Sequence, residues 1–159
     1  MRPFDYYQPK TVDEAVKTLD KVKSSAEVFA GGTDVMIELN EGKSRPKAVV
    51  DISRLPLKYV KREGGVIRIG ANVTFRELET NKTIRNNFPA LVETAANVGS
   101  PHIRAIGTIG GNTVTASVAG DTPTTSMAHN ATVVLKSVKG ERELTIEQFN
   151  KGPGNCQIK

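Results

Sequence analysis

Val28-Phe29-Ala30-Gly31-Gly32-Thr33-Asp34-Val35 is the stretch that decides the fold. Val28, Phe29 and Ala30 read as a short buried strand running directly into a glycine pair. Beyond the pair, Val35, Met36, Ile37 and Leu39 read as a short helix that ends near Gly42. Upstream, Thr11-Val12-Asp13-Glu14 has capping-box spacing, and Val12, Ala15, Val16 and Leu19 recur at helical intervals. Downstream, Ala48-Val49-Val50-Asp51-Ile52 is another strand. Helix, strand, glycine turn, helix and strand in that order predict a small α/β lobe over residues 1–55 with a parallel strand pair.

The texture changes at Pro56, and residues 56–159 read as a larger mixed lobe with mostly antiparallel strands. Tyr59-Val60-Lys61 and Val66-Ile67-Arg68-Ile69-Gly70 flank Glu63-Gly64-Gly65, a hairpin signal. Thr74-Phe75-Arg76-Glu77 opens a capped helix, and Pro89 starts another whose apolar face is Leu91, Val92, Ala95 and Val98. A glycine-rich stretch follows from Gly99 to Gly120. Asp121-Thr122-Pro123 reads as an N-cap and the start of a helix through Ala128. Thr132 to Val138 pairs with Arg142 to Ile146 across Lys139-Gly140 in a last hairpin. The fold class is α+β.

Two segments share one pattern: Ala30-Gly31-Gly32-Thr33-Asp34 and Thr108-Ile109-Gly110-Gly111-Asn112. Adjacent glycines permit positive φ and bring backbone N–H groups to a bound anion, and a hydroxyl or amide just after them adds a further contact. The first pair also sits at a strand-to-helix junction. Two such loops facing one another suit a pyrophosphate. On pattern alone, two ordinary turns account for these residues equally well. Familiar nucleotide motifs fail: Gly42-Lys43-Ser44 lacks the first P-loop glycine, because position 37 is isoleucine, and no Gly-x-Gly-x-x-Gly follows a strand. No Ser–His–acid set or carboxylate pair presents itself as catalytic.

The chain has 159 residues, with 38% hydrophobic and 25% charged, which is ordinary for one globular domain. Its single cysteine, Cys156, excludes an internal disulfide framework and an iron–sulfur cluster held by this chain alone. With only two histidines beside that cysteine, a structural zinc site is also excluded. Redox chemistry would have to come from an organic cofactor or a partner. The net charge is 22 − 17 = +5, which favours anionic ligands or an acidic partner. The basic residues are scattered without aromatic interleaving, so no nucleic-acid role is expected. No apolar run reaches the ~20 residues of a membrane span, and the opening MRPFDYYQPK lacks a signal-peptide core, so a cytoplasmic protein is expected.

With these residues in view, the sequence resembles the FAD-binding medium subunit of molybdenum hydroxylases, the group that includes the xanthine dehydrogenase flavin subunit and the carbon monoxide dehydrogenase medium chain. The resemblance begins at Phe4-Asp5-Tyr6 and takes in Ala30-Gly31-Gly32-Thr33-Asp34, Val50-Asp51-Ile52 and Ile69-Gly70-Ala71. It continues through Ile103-Arg104, Thr108-Ile109-Gly110-Gly111-Asn112, Thr115-Ala116-Ser117 and Gly120-Asp121 to Gly152-Pro153-Gly154.

The resemblance implies the two-lobed FAD-binding fold shared with vanillyl-alcohol oxidase relatives, with FAD held noncovalently between the lobes. It implies cofactor contacts from Ala30, Gly31, Gly32, Thr33 and Asp34, walled by Val28, Phe29 and Val35. Thr108, Gly110, Gly111 and Asn112 would close the other side, and Asp121, with Ser117 nearby, would face the ribityl or ring region. No side chain is implied as a catalytic acid or base, and no metal is implied on this chain. The implied role is electron transfer: from iron–sulfur clusters on a small subunit, beside a molybdenum-cofactor large subunit, through FAD to NAD or another acceptor. The smaller C-terminal domain of the family is not expected in this chain. Arg104 reads either as an anion contact or as half of a structural salt bridge, Asp34 either as a helix cap or as a ligand contact, and Cys156 as a bystander thiol. The competing readings are a flavin reductase of the same fold and a flavin-free binding or assembly module.

Overall fold

The computed structural model describes residues 2–117, 120–152 and 154–158, with the backbone alone at Asp121. The α/β unit forms as its sequence reads. Strand β1 (Asp5–Tyr7) is followed by helix α1 (Val12–Val22), a short 3-10 turn, β2 (Ala26–Phe29), α2 (Val35–Glu41) and β3 (Ala48–Asp51). The three strands form one parallel sheet in the order β1-β3-β2, which places the most apolar strand in the centre, buried along its whole length. β1 is an addition to the sequence reading. Three residues, with Asp5 and Tyr6 exposed and Tyr7 half-buried, carry no strand periodicity, and it is the register Asp5↔Ala48 to Tyr7↔Val50 that makes them a strand.

Thr11 caps α1 by accepting the Glu14 N–H at 3.1 Å, while Glu14 accepts from Lys10 N at 2.8 Å, so the reciprocal bond lands one residue before the cap. Gly42 ends α2 in the left-handed region, as a C-terminal glycine should.

Beyond Pro56 the expected hairpin is present as β4 (Val60–Glu63) and β5 (Val66–Ile69). Helices α3 (Phe75–Thr80), α4 (Lys82–Asn87) and α5 (Pro89–Asn97) follow. Thr74 and Glu77 complete a capping box on α3, and Asn81 caps α4 through the Thr83 and Ile84 N–H groups. Val73, Phe75, Leu78, Ile84, Leu91 and Ala95 form the main core, with the hairpin and Ile109 packed on it.

The glycine-rich stretch departs most from the sequence reading: it contains two helices, α6 (Pro101–Ile106) and α7 (Ile109–Thr115), capped by Ser100 and Thr108. α8 (Asp121–Ala128) is capped at Gly120, so Asp121 is its first helical residue and not its N-cap.

The last hairpin, β6 (Thr132–Ser137) and β7 (Gly140–Thr145), leads into α9 (Ile146–Phe149), β8 (Asn150–Gly152) and β9 (Asn155–Cys156). These elements carry a second core in which Ala116, Phe149 and Cys156 are buried with Val114, Val133, Leu135 and Leu144 around them. Cys156 is 1% exposed, so the thiol is a core side chain. Gly154 N donates to the Ala116 carbonyl at 2.9 Å, tying the chain's last described strand to the end of α7.

A polar knot holds the edge of the parallel sheet. The Asp51 side chain, buried at the end of β3, accepts the Tyr6 hydroxyl, the Gln8 amide at 2.8 Å and the Ser53 N–H at 2.8 Å. Burial alone would raise the Asp51 carboxyl, but these donors overcome it and leave the group below the usual carboxylate range. The Asp51 hydrogen bond in turn pushes the Tyr6 phenol up.

Tyr6→Phe should cost about 1 kcal/mol at neutral pH, the low end for a bond to a charged group because Tyr6 is largely exposed. Asp51 contributes fully above its unfolded pKa of about 3.9 and fades as pH falls through the lowered folded value. Tyr6 contributes fully below about 10 and fades as pH rises through its raised folded value. Urea unfolding curves of wild type and Tyr6→Phe should therefore differ at pH 7 and converge at both extremes.

Candidate functional site

Two glycine segments distant in sequence meet at one seam. Gly31 faces the backbone of the α6–α7 junction so closely that a Cβ would lie 2.1 Å from the Ile106 carbonyl oxygen and 3.1 Å from Gly107 Cα. Gly32 takes φ +72, and its Phe29 neighbour lies beneath it: a Cβ there would sit 2.3 Å from the Phe29 ring. Val28, Phe29 and Val35 are half-buried walls to this turn.

The turn's distinctive property is its donors. Among the described residues, the N–H groups of Gly31, Gly32, Thr33 and Asp34 donate no hydrogen bond, although Gly32 O and Asp34 O accept from Met36 and Glu38. Consecutive unpaired N–H groups around a positive-φ glycine form a concavity for an anion.

The second segment is built differently. Its glycines lie in the first turn of α7 with no positive φ. Ile109 N donates to Val73 O at 3.0 Å, Gly110 N to Ala71 O at 3.0 Å, Gly111 N to the Thr108 hydroxyl at 3.1 Å and Asn112 N to Thr108 O at 3.0 Å. These donors are already used by the protein. Gly110 instead allows close approach, since a Cβ there would be 2.7 Å from Ala71 Cβ. What this segment leaves open is side-chain chemistry: Asn112 Oδ1 is buried and has no hydrogen-bond partner among the described residues, as is Thr122 Oγ1 at the start of α8.

Asp34 is at the N-cap position of α2, but its side chain makes no cap bond. Its carboxylate accepts the Thr115 hydroxyl at 3.0 Å, joining the first segment to the last turn of α7. Ala116 ends that helix at φ 48, which turns the chain toward the exposed Ser117. The Asp121 side chain lies outside what is described, so its expected contact is not placed.

Arg104 is not free to meet an anion. Its Nε pairs with Glu79 Oε1 at 2.6 Å, with both side chains mostly buried, and its Nη1 reaches Gly99 O at 3.0 Å. Of the two readings the sequence allowed, the structural salt bridge is the one formed. His102 is exposed on α6, and His129 follows α8 with Nδ1 2.7 Å from the Thr125 carbonyl and its ring edge-on to Phe88. Among the described residues no group of three or more His, Cys, Asp or Glu side chains could hold a metal.

A ligand that fits this seam carries a compact anion for the N–H run at Gly31–Asp34 and hydroxyl donors for Asn112 Oδ1. A flavin dinucleotide has both, in its diphosphate and its ribityl chain, and the residues present fit it.

Residues 2–159 match the model of a family described as the FAD binding domain in molybdopterin dehydrogenase. The chain is 43% identical over 156 residues to the nicotinate dehydrogenase FAD-subunit of Eubacterium barkeri, covering 97% of this chain and 53% of that protein. It is 32% identical over 150 residues to the carbon monoxide dehydrogenase medium chain of Hydrogenophaga pseudoflava, covering 94% of this chain and 52% of that protein. Among solved structures it superposes on a chain of the reconstituted CO dehydrogenase from Oligotropha carboxidovorans with a TM-score of 0.96 at 28% identity, over 99% of this chain and 56% of that one. The chain thus spans about half the length of the curated relatives it matches.

The seam makes the glycines unequal. Gly31→Ala and Gly110→Ala should each lower stability by about 1–3 kcal/mol, because their new methyl groups meet backbone or a packed Cβ. Gly111→Ala, whose Cβ would be 3.0 Å from the Thr108 hydroxyl alone, should be tolerated to within about 1 kcal/mol. Urea denaturation of the three variants checks the order.

Proposed function

The chain belongs to the family of FAD binding domains in molybdopterin dehydrogenases, and from that premise we propose that it is the flavin-binding part of an electron-transfer subunit in a molybdenum-dependent hydroxylase or dehydrogenase. The observation that carries the reading is the unpaired N–H run at Gly31–Asp34 set beside the buried, unpartnered Asn112 Oδ1.

In this reading the first segment receives the diphosphate. Gly31 and Gly32 supply N–H donors without side chains in the way, and Thr33 adds a further N–H group. Val28, Phe29 and Val35 wall the turn and hold its shape. Asn112 Oδ1 accepts from a ribityl hydroxyl, and Thr108, Gly110 and Gly111 hold Asn112 in place from below. Ser117, just after α7, and Asp121, the first residue of α8, are assigned to the ribityl or ring end. When bound, FAD supplies the capacity to take up and pass on electrons one or two at a time. The protein's own contribution is binding, orientation and shielding, and no side chain of the seam is assigned a proton-transfer role.

The wider assembly is part of the same proposal. Electrons arrive from iron–sulfur clusters of a small subunit that serves a molybdenum-containing large subunit, and leave to NAD or another acceptor. The relatives' names, a nicotinate dehydrogenase FAD-subunit and a carbon monoxide dehydrogenase medium chain, are consistent with that arrangement. They name different substrates, so no substrate is assigned here.

A visible absorption spectrum of the purified chain, taken before and after adding FAD and removing the excess, tests the flavin site. Flavin bands should stay with the protein. Asn112→Asp, which places a negative charge beside the diphosphate and ribityl path, should weaken FAD binding by about tenfold or more. A folded chain that stays colourless with excess FAD, alone and joined to the further length that its relatives carry, would favour the flavin-free assembly module instead.

A further inference from the structure

We propose that the Asp34 side chain is a clasp between the two glycine segments and not a ligand contact, and that its bond to Thr115 sets the affinity of the seam for a diphosphate-bearing flavin nucleotide. The affinity part rests on the flavin reading above.

The geometry is specific. Asp34 stands where a helix-capping side chain would turn inward to its own N–H groups, yet it makes no such bond. It reaches instead to the Thr115 hydroxyl, 3.0 Å away on α7. That hydroxyl is also 3.0 Å from the Gly111 carbonyl, so its single proton is shared between the Asp34 carboxylate and the backbone of the second glycine pair. The seam is therefore fastened twice. Gly31 lies against the Ile106 carbonyl at one end, with no space for a side chain, and Asp34 holds Thr115 at the other. The unpaired N–H groups of Gly31, Gly32 and Thr33 lie between these fastenings, and Asn112 is on the helix that the clasp holds.

Charge separates a clasp from a contact. A carboxylate beside a diphosphate repels it, and among the described residues no lysine or arginine pairs with Asp34 to offset that charge. As a direct ligand contact to the phosphates Asp34 would be a poor choice. As a hydrogen-bond acceptor for Thr115 it contributes geometry, and an amide in its place would contribute the same geometry without the repulsion.

The experiment is a set of FAD titrations by flavin fluorescence quenching on wild type, Asp34→Asn, Asp34→Ala, Thr115→Val, Thr115→Ser and the Asp34→Ala/Thr115→Val double variant, with thermal unfolding of each measured without FAD. Asp34→Ala and Thr115→Val should each weaken FAD binding by about tenfold, the scale of one hydrogen bond to a charged group. The double variant should be no weaker than the weaker single, because both remove the same bond. Thr115→Ser should restore wild-type affinity, and Asp34→Asn should bind as tightly as wild type or more tightly. Asp34→Asn falling as far as Asp34→Ala would overturn the clasp in favour of a contact that needs the charge, and additive single losses would also overturn it. Should Asp34→Ala fail to fold, the Thr115 pair and Asp34→Asn decide alone. Wild type that takes up no FAD would refute the proposed function and the affinity claim together, while non-additive thermal shifts would still separate a real clasp from a coincidental contact.

Discussion

Everything in the candidate site depends on the absence of one carbon atom. Between Gly31 and the Ile106 carbonyl there is no room for a Cβ, so the turn after β2 and the junction between α6 and α7 meet backbone to backbone. Contact this close fixes relative position more firmly than side chains with several rotamers could. It brings the parallel sheet and the helical part of the chain to one seam. Gly110 repeats the device against Ala71, which anchors the start of α7 to the segment leaving β5. The site is assembled by backbone proximity, and the side chains that line it are few.

The two glycine pairs look alike in sequence and have different tasks. In the first, a positive φ at Gly32 and the entry to a short helix leave a run of N–H groups facing outward. In the second, the Thr108 cap and the carbonyls of Val73 and Ala71 take up the N–H groups, and the glycines act as spacers. A pair of glycines permits an anion cradle but does not make one. What decides is whether neighbouring acceptors have already claimed the donors.

That distinction marks how far the sequence could be read. The α/β unit was legible because buried apolar runs, a capping threonine and Gly42 are local signals with local causes. The β4–β5 and β6–β7 hairpins were legible for the same reason, through Gly64-Gly65 and Gly140. The helices α6 and α7 were not: α7 is rich in glycine and threonine, and α6 is only six residues long and lies between Gly99 and Gly107. They are helical because Ser100 and Thr108 cap them and because Ile109 packs on the main core. β1 depends on its register with β3, and the burial of Cys156 on its contact with Ala116 and Phe149, neither of which has a local signature. The resemblance pointed to both glycine segments, which the fold brings together at Gly31 and the α6–α7 junction, but the division of labour between the segments, the Arg104–Glu79 pair and the Asp34–Thr115 bond are three-dimensional facts.

The central claim is that the first segment donates its backbone N–H groups to a flavin dinucleotide while the second holds the ligand through its side chains. Hydrogen–deuterium exchange with and without FAD reads this residue by residue. FAD should slow exchange sharply at Gly31, Gly32 and Thr33, whose N–H groups are otherwise unbonded. It should change Gly110 and Gly111 far less, since theirs are already bonded within the protein. Protection confined to the second segment, or no protection at Gly31–Thr33 from FAD that demonstrably binds, would contradict the account.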